Sequence, residues 1–208
     1  MSDEQRMADH WWWRPGWSQG RRFYTWHMTF TDAPDVHRIA EQYRQGLKGV
    51  DGLDLVPDQW LHLTMQGLGF VDEVPEDDVR AIVAAATTRL ASIPAFELTL
   101  DRPQITPEAI RWEGTPAAPA AAVRSAIREA IGEVWQQVPE QAEGFAPHVT
   151  IAYSNATGPA APVAAALDAV DAAPALAQIR SAELIVLNRD RHMYEWETYA
   201  TVPLAAGK

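Results

Sequence analysis

Two short triplets in this chain have the residue types for acid–base chemistry at a phosphate: His62-Leu63-Thr64 and His148-Val149-Thr150. An imidazole titrates near ~6.5, so one copy can take a proton from water while a second, protonated copy gives one to a leaving oxygen. A threonine hydroxyl can donate to a non-bridging phosphate oxygen and hold phosphorus in line. On a β-strand, residues two apart point the same way. His62 and Thr64 therefore share a face, as do His148 and Thr150, and Leu61, Leu63, Met65, Val149 and Ile151 point inward. One His-x-Thr alone carries little information. Two on alternating strands, placed alike within a repeat, make a case for paired general acid and general base in one cleft.

The elements that must position them follow from hydrophobic period and punctuation. Residues 23–30 alternate, with Tyr24, Trp26, Met28 and Phe30 on one face and Thr25, His27 and Thr29 on the other. Further strands are predicted at 60–66, 96–100, 109–113, 148–153, 182–187 and 194–202. Helices are predicted at 32–46 with Asp32 as a cap, 75–90, 117–135 and 159–170. The acid-rich stretch 71–78 reads as a loop and a helix start. His62 and His148 are 86 residues apart. About 37 residues before each lies a strand, at Thr25 and Arg111, and 35 after each lies another, at Glu97 and Glu183. Strand, helix, His-x-Thr strand, helix, strand thus occurs twice, which indicates internal duplication. The expected fold is α+β and bilobal, with antiparallel sheets about a pseudo-twofold axis and the cleft between the lobes. Residues 1–22, with Trp11-Trp12-Trp13 and Trp17, read as an irregular arm ahead of a single domain at 23–204.

Composition bounds the partners. There is no cysteine, which removes disulfides, thiolate nucleophiles and cysteine zinc sites. No His or carboxylate cluster has metal-ligand spacing, so no metal or cofactor is expected. The formal net charge of −11 disfavours duplex nucleic acid, which is held through Lys and Arg, and favours a small substrate or a chain end. No run of about 18 apolar residues predicts a membrane span and the first ten residues are not a signal peptide, so the expected protein is a cytoplasmic monomer.

The residues around the two triplets carry a resemblance. Trp60-Leu61-His62-Leu63-Thr64-Met65-Gln66-Gly67-Leu68-Gly69 and Phe145-Ala146-Pro147-His148-Val149-Thr150-Ile151-Ala152 resemble the two motifs of the 2H (two-histidine) phosphoesterase superfamily, in its 2′-5′ RNA ligase-like and cyclic phosphodiesterase branch. The likeness runs over about residues 23–204. It implies hydrolysis of 2′,3′-cyclic phosphates on a nucleotide or RNA 3′ end to 2′-phosphates, with His148 on the water and His62 on the leaving 3′ oxygen. Many relatives have Arg after the second motif. Here Tyr153 stands there, and the alternation points it away from the histidines.

Other residues have two readings. His27-Met28-Thr29 is a third His-x-Thr whose counterpart in the second half falls near Glu113, outside the pattern, so His27 is a candidate binding group or an ordinary paired histidine. Arg111, equivalent to Thr25 in the repeat, is a candidate phosphate cation or a partner of Glu108 or Glu113. Trp60 and Tyr194 are candidates for stacking a base, and the tryptophans of the arm either stack a base or pack the arm down. His10, His37 and His192 are expected in solvated or capping roles. The competing classes are a non-catalytic nucleotide-binding module and an interaction protein that works through its Trp-rich arm.

Overall fold

A computed structural model describes residues 5–206. In chain order the elements are β1 (Arg6–Met7), β2 (Phe23–Thr29), α1 (Pro34–Leu47), β3 (Leu53–Leu55), β4 (His62–Phe70), α2 (Glu76–Leu90), β5 (Phe96–Leu100), β6 (Gln104–Ile105), β7 (Ala109–Glu113), α3 (Ala117–Val134), β8 (His148–Ser154), β9 (Gly158–Pro159), α4 (Ala161–Asp168), β10 (Ala175–Ile179), β11 (Ser181–Asn188) and β12 (Glu195–Pro203). The fold is α+β with antiparallel sheets. One four-stranded sheet has the order β12-β11-β2-β4 and the other β3-β8-β7-β6, so each carries one His-x-Thr strand beside its antiparallel partner.

The duplication is present, but the halves exchange their closing strands. The stretch β5–β6 after the first motif corresponds to β10–β11 after the second. β6 pairs with β7 of the second half, and β11 pairs with β2 of the first. β5 and β10 pair with each other where the halves meet. The helices cross over as well. α3 packs on β4 and against α2, while α1 packs on β8 and against α4. Each motif strand is therefore backed by a helix from the other half, which ties the two lobes into one body.

Local chemistry explains the boundaries. α1 begins at Pro34 behind Ala33, with no side-chain cap, so Asp32 does not cap it. Proline suits the first helical turn because its missing N–H would be unpaired there anyway. Val36, Ile39, Ala40, Tyr43 and Leu47 recur at helical spacing and form its buried face. Three acids occupy the first turn of α2, where the helix dipole favours negative charge. α4 is shorter than predicted. β3 and the two-residue strands are too short to show a period, and β10 alternates strictly in burial but carries an exposed Leu176 that hides the period in the sequence. The alternation predicts a half-buried β2, whereas Tyr24–Met28 are all buried. Trp26 and Met28 face the core, and Thr25 and His27 line the cleft.

The N-terminal arm is not irregular throughout. Arg6–Met7 pairs with Gly158–Pro159, and Met7, His10 and Trp11 are buried. No described helix is long and apolar enough to cross a membrane.

Candidate active site

β4 and β8 each deliver a histidine and a threonine to one cavity of about 400 Å³, lined by His62, Thr64, His148 and Thr150 together. The two histidines are held in the same way. His62 Nδ1 lies 2.8 Å from the carbonyl oxygen of Trp60, and His148 Nδ1 lies 2.8 Å from that of Ala146. A carbonyl only accepts, so in each neutral ring Nδ1 carries the proton and Nε2 keeps its lone pair. Each carbonyl sits two residues before its histidine, so the chain ahead of the strand sets the tautomer. Sequence reasoning did not identify these contacts.

Burial keeps both rings neutral. Loss of water holds His62 down at about 4, against a smaller opposing effect of the Trp60 carbonyl, and His148 adds to the lowering. His148 is also lowered, first by burial and further by the Arg111 guanidinium. Desolvation disfavours the charged imidazolium in both.

Cross-strand register decides what stands next to each motif. His27 is directly opposite Thr64, and Arg111 is directly opposite Thr150. The structural counterpart of His27 is therefore Arg111, not Glu113, and Arg111 does not correspond to Thr25. The connection causes the offset: from Thr29 to its partner His62 is 62 − 29 = 33 residues, and from Glu113 to its partner His148 is 148 − 113 = 35. Beyond the motifs the ladders carry β-bulges, the β2–β4 ladder shifting twice, at Leu68 and Met65, and the β7–β8 ladder once, at Ile151. A bulge adds one residue to one strand and reverses which face the following side chains take. The bulge at Ile151 turns Tyr153 into the cavity, against the simple alternation. Its phenol lies beside the Thr150 hydroxyl, and burial pushes its pKa up.

His27 lines the cavity although it is buried. Its ring stacks on His62 with centroids 4.3 Å apart, and its Nε2 is 3.4 Å from the Thr64 hydroxyl. Its Nδ1 has no partner, and burial, followed by the repulsion a second proton would meet beside His62, holds the ring well below the usual histidine range. Arg111 also lines the cavity, with no carboxylate within ion-pair distance among the described residues, and its Nε is buried without a hydrogen bond. Of its two readings, the pairing with Glu108 or Glu113 does not form. Glu108 instead receives hydrogen bonds from Trp12 and Arg14 and faces His10.

The arm closes one end of the cavity. His10 is stacked on Tyr153 at 4.4 Å, with Nδ1 3.1 Å from Glu108 and Nε2 3.0 Å from the Tyr194 hydroxyl. The carboxylate accepts at Nδ1, so Nε2 accepts the phenol proton. Burial leads the lowering of His10 to about 4. His10 thus belongs to the site and is not a solvated or capping residue. Trp17 and Tyr194 line the same end. Trp11 packs against the domain, while Trp12 and Trp13 remain exposed. His192 stacks on Trp11 and His37 bonds the Phe30 carbonyl. Trp60 does not line the cavity. It packs edge-on against Trp196 in a neighbouring shallow groove and serves the site through its carbonyl. The buried guanidinium of Arg124 on α3 donates to Met65 O at the bulge and to Gln141 O and Ala142 O, which pins the loop at 139–146 beside β4. Glu140 on that loop accepts the Gly67 amide proton. A side chain at Gly67 would come within 2.5 Å of that carboxylate. Among the described residues no group of three His, Cys, Asp or Glu is placed to hold a metal.

The family model described as the 2′-5′ RNA ligase superfamily matches residues 31–191, most of the chain and both motifs. The chain belongs to the 2′-5′ RNA ligase superfamily. TT0787 of Thermus thermophilus superposes with a TM-score of 0.65 at 20% identity, covering 90% of this chain and 100% of that one. LigT of E. coli, crystallised with 3′-AMP, gives 0.63 at 18% identity, covering 88% and 98%. A structure described as a phosphoesterase gives 0.61 at 19% identity, covering 89% and 98%. At these identities the likeness establishes the shared fold. Among curated proteins none matches significantly. A phosphoesterase-type activity is consistent with this membership.

Proposed function

We propose that this superfamily member hydrolyses 2′,3′-cyclic phosphates to 2′-phosphates without a metal, using His62 and His148 as acid and base and Thr64, Thr150 and Arg111 to hold the phosphate. The observation that carries this reading is the matched pair of imidazoles, each with Nδ1–H tied to a carbonyl and Nε2 free, in one cavity with both threonines. That LigT has been crystallised with 3′-AMP, with phosphate and with ATP supports a nucleotide ligand for the common fold.

The atoms balance. His148 Nε2 takes a proton from water as its oxygen bonds to phosphorus. The P–O3′ bond breaks, and Nε2–H of protonated His62 gives its proton to the 3′ oxygen. The product is a 2′-phosphate monoester, and the two rings re-equilibrate through solvent. In the empty cleft His62 is neutral, held at about 4. Its service as the acid therefore depends on the negative charge of the bound diester, which favours a nearby imidazolium. Arg111, opposite Thr150, places positive charge on the His148 side, where it draws the non-bridging oxygens.

The test is turnover of a 2′,3′-cyclic nucleotide followed by phosphorus NMR, with excess chelator present. The expected product is the 2′-phosphate at an unchanged rate. Loss of activity with EDTA that a divalent ion restores contradicts the metal-free route, and a 3′-phosphate product reverses the two histidine roles. Nucleotide binding with no turnover under any condition supports a binding module instead.

A further inference from the structure

We infer that the substrate is a small, singly charged nucleoside cyclic phosphate and not the end of an RNA chain. This rests on the proposed reaction and narrows its substrate class.

The phosphate site lies where two cavities meet, with Thr64, Arg111, Glu140 and His148 lining both. The larger, about 400 Å³, runs to an aromatic end at Trp17, Phe23 and Tyr194, closed by Glu108 and His10. Its size falls in the range of pockets that enclose one small ligand, ~300–1,000 Å³. The smaller, about 300 Å³, is bordered by Glu140 and Glu143. An oligonucleotide brings a further negative charge with each nucleotide, and proteins that hold single strands meet it with a cationic groove.

Here the cations near the cleft are already engaged. Arg14 pairs with Glu108, Arg21 with Asp72 and Glu73, Arg22 with Glu197, and Arg191 with Glu195. Arg124 and Arg128 donate to backbone carbonyls of the loop at 139–142. Arg189 is buried against Trp11, Trp17 and Tyr194 and donates to the His10 carbonyl. Arg111 is the cavity-lining guanidinium without a carboxylate partner among the described residues, one cation for one phosphate. Glu108 is paired with Arg14 and Glu140 lies 3.8 Å from Arg124, while Glu143 at the smaller cavity is exposed and has no cationic partner among the described residues, so a second phosphate leaving that way would meet like charge. The aromatic chamber accepts one base, and nothing beyond it carries the charge of a chain.

The experiment compares a nucleoside 2′,3′-cyclic phosphate with a ten-residue RNA bearing the same terminal base and cyclic phosphate. The expected kcat/KM is at least about tenfold lower for the RNA, and it rises for the RNA as salt increases from about 20 to 300 mM, because screening relieves repulsion. Glu143→Lys, an exposed change, should raise kcat/KM for the RNA several-fold and leave the mononucleotide unchanged. RNA turned over as well as the mononucleotide, with efficiency that falls as salt increases, overturns the inference. Failure to turn over either substrate defeats the hydrolytic reading alone. Affinities for the two matching 2′-phosphate products then decide the size question, with tighter binding of the RNA product overturning it.

Discussion

The two motif strands share a geometry and differ in their surroundings. On β4 and β8 alike, a carbonyl two residues upstream ties Nδ1 of the histidine and frees Nε2. Opposite the threonine, the first half places a neutral, buried His27 stacked on the catalytic candidate, and the second places an unpaired Arg111. The second half also turns Tyr153 into the cleft through its single bulge, where the first half has two. Acid–base chemistry from both sides of phosphorus needs two matched nitrogens, and that part of the duplication is kept. Anion binding needs positive charge on one side only, and there the halves diverge. The cleft is thus symmetric in how its two imidazoles are held and asymmetric in charge.

The largest expected effect tests the symmetric part. His62→Ala and His148→Ala should each lower kcat by ~10²–10⁴-fold, the usual contribution of a general acid or base. Near-normal turnover by either variant in a purified-enzyme assay breaks the matched-pair reading.

A smaller effect tests the asymmetric part. Arg111→Gln should cost about 10–100-fold in kcat/KM, in line with ~1.5–3 kcal/mol for a hydrogen bond to a charged group. His27→Gln should cost clearly less, since His27 is neutral and reaches the site through Thr64 and His62. Equal losses in the two variants would show that charge does not distinguish the halves. The hydroxyls come next. Thr64→Ala and Thr150→Ala should each cost about 2–10-fold, from ~0.5–1.5 kcal/mol per neutral hydrogen bond. The Thr150 loss should be partly masked, because Tyr153 stands beside it and can still donate.

The smallest effect is on stability. His62 and His10 are both held at about 4 when folded, below the unfolded value of ~6.5. Groups lowered on folding bind more protons when unfolded, so they contribute full stability above the unfolded value. That contribution is lost as pH falls from about 6.5 through about 4. The Tm should therefore drop over this window, and His62→Gln should flatten the drop by removing one of the titrating groups. A Tm–pH profile identical in the variant would show that the His62 ring is not held neutral by burial. On the same grounds, bound phosphate should raise the imidazole pKa values, seen as proton uptake when titrations are repeated in buffers of different ionisation heat.

Much of this was legible in the chain. The two triplets, the alternation around them and the repeated element order pointed to an α+β duplication with both motifs in one cleft, and the family match over residues 31–191 includes both motifs. The illegible part has definable causes. Alternation counted along β8 from His148 points Tyr153 away from the cleft, and the bulge at Ile151 shifts that count by one; the repeat count that matches His27 with Glu113 fails because the second connection is two residues longer. Bulges are set by what the partner strand and the packing helix offer, as Arg124 does at the Met65 carbonyl. The arm had no period to read, because its place depends on contacts with distant residues: Glu108 and Tyr194 for His10, and Asp54 for Trp11.

The sequence by itself determined which groups have the residue types for acid–base chemistry and that they come in pairs, since residue type and strand period are local properties. Only the tertiary structure decided the rest: that the halves exchange closing strands, that backbone carbonyls select the tautomers, that Arg111 is left without a carboxylate, and that the arm closes the cleft with His10. Each of these depends on which remote atoms fill the space around a group and displace its water. Burial, pairing and proton affinity are properties of that surrounding and not of the residue.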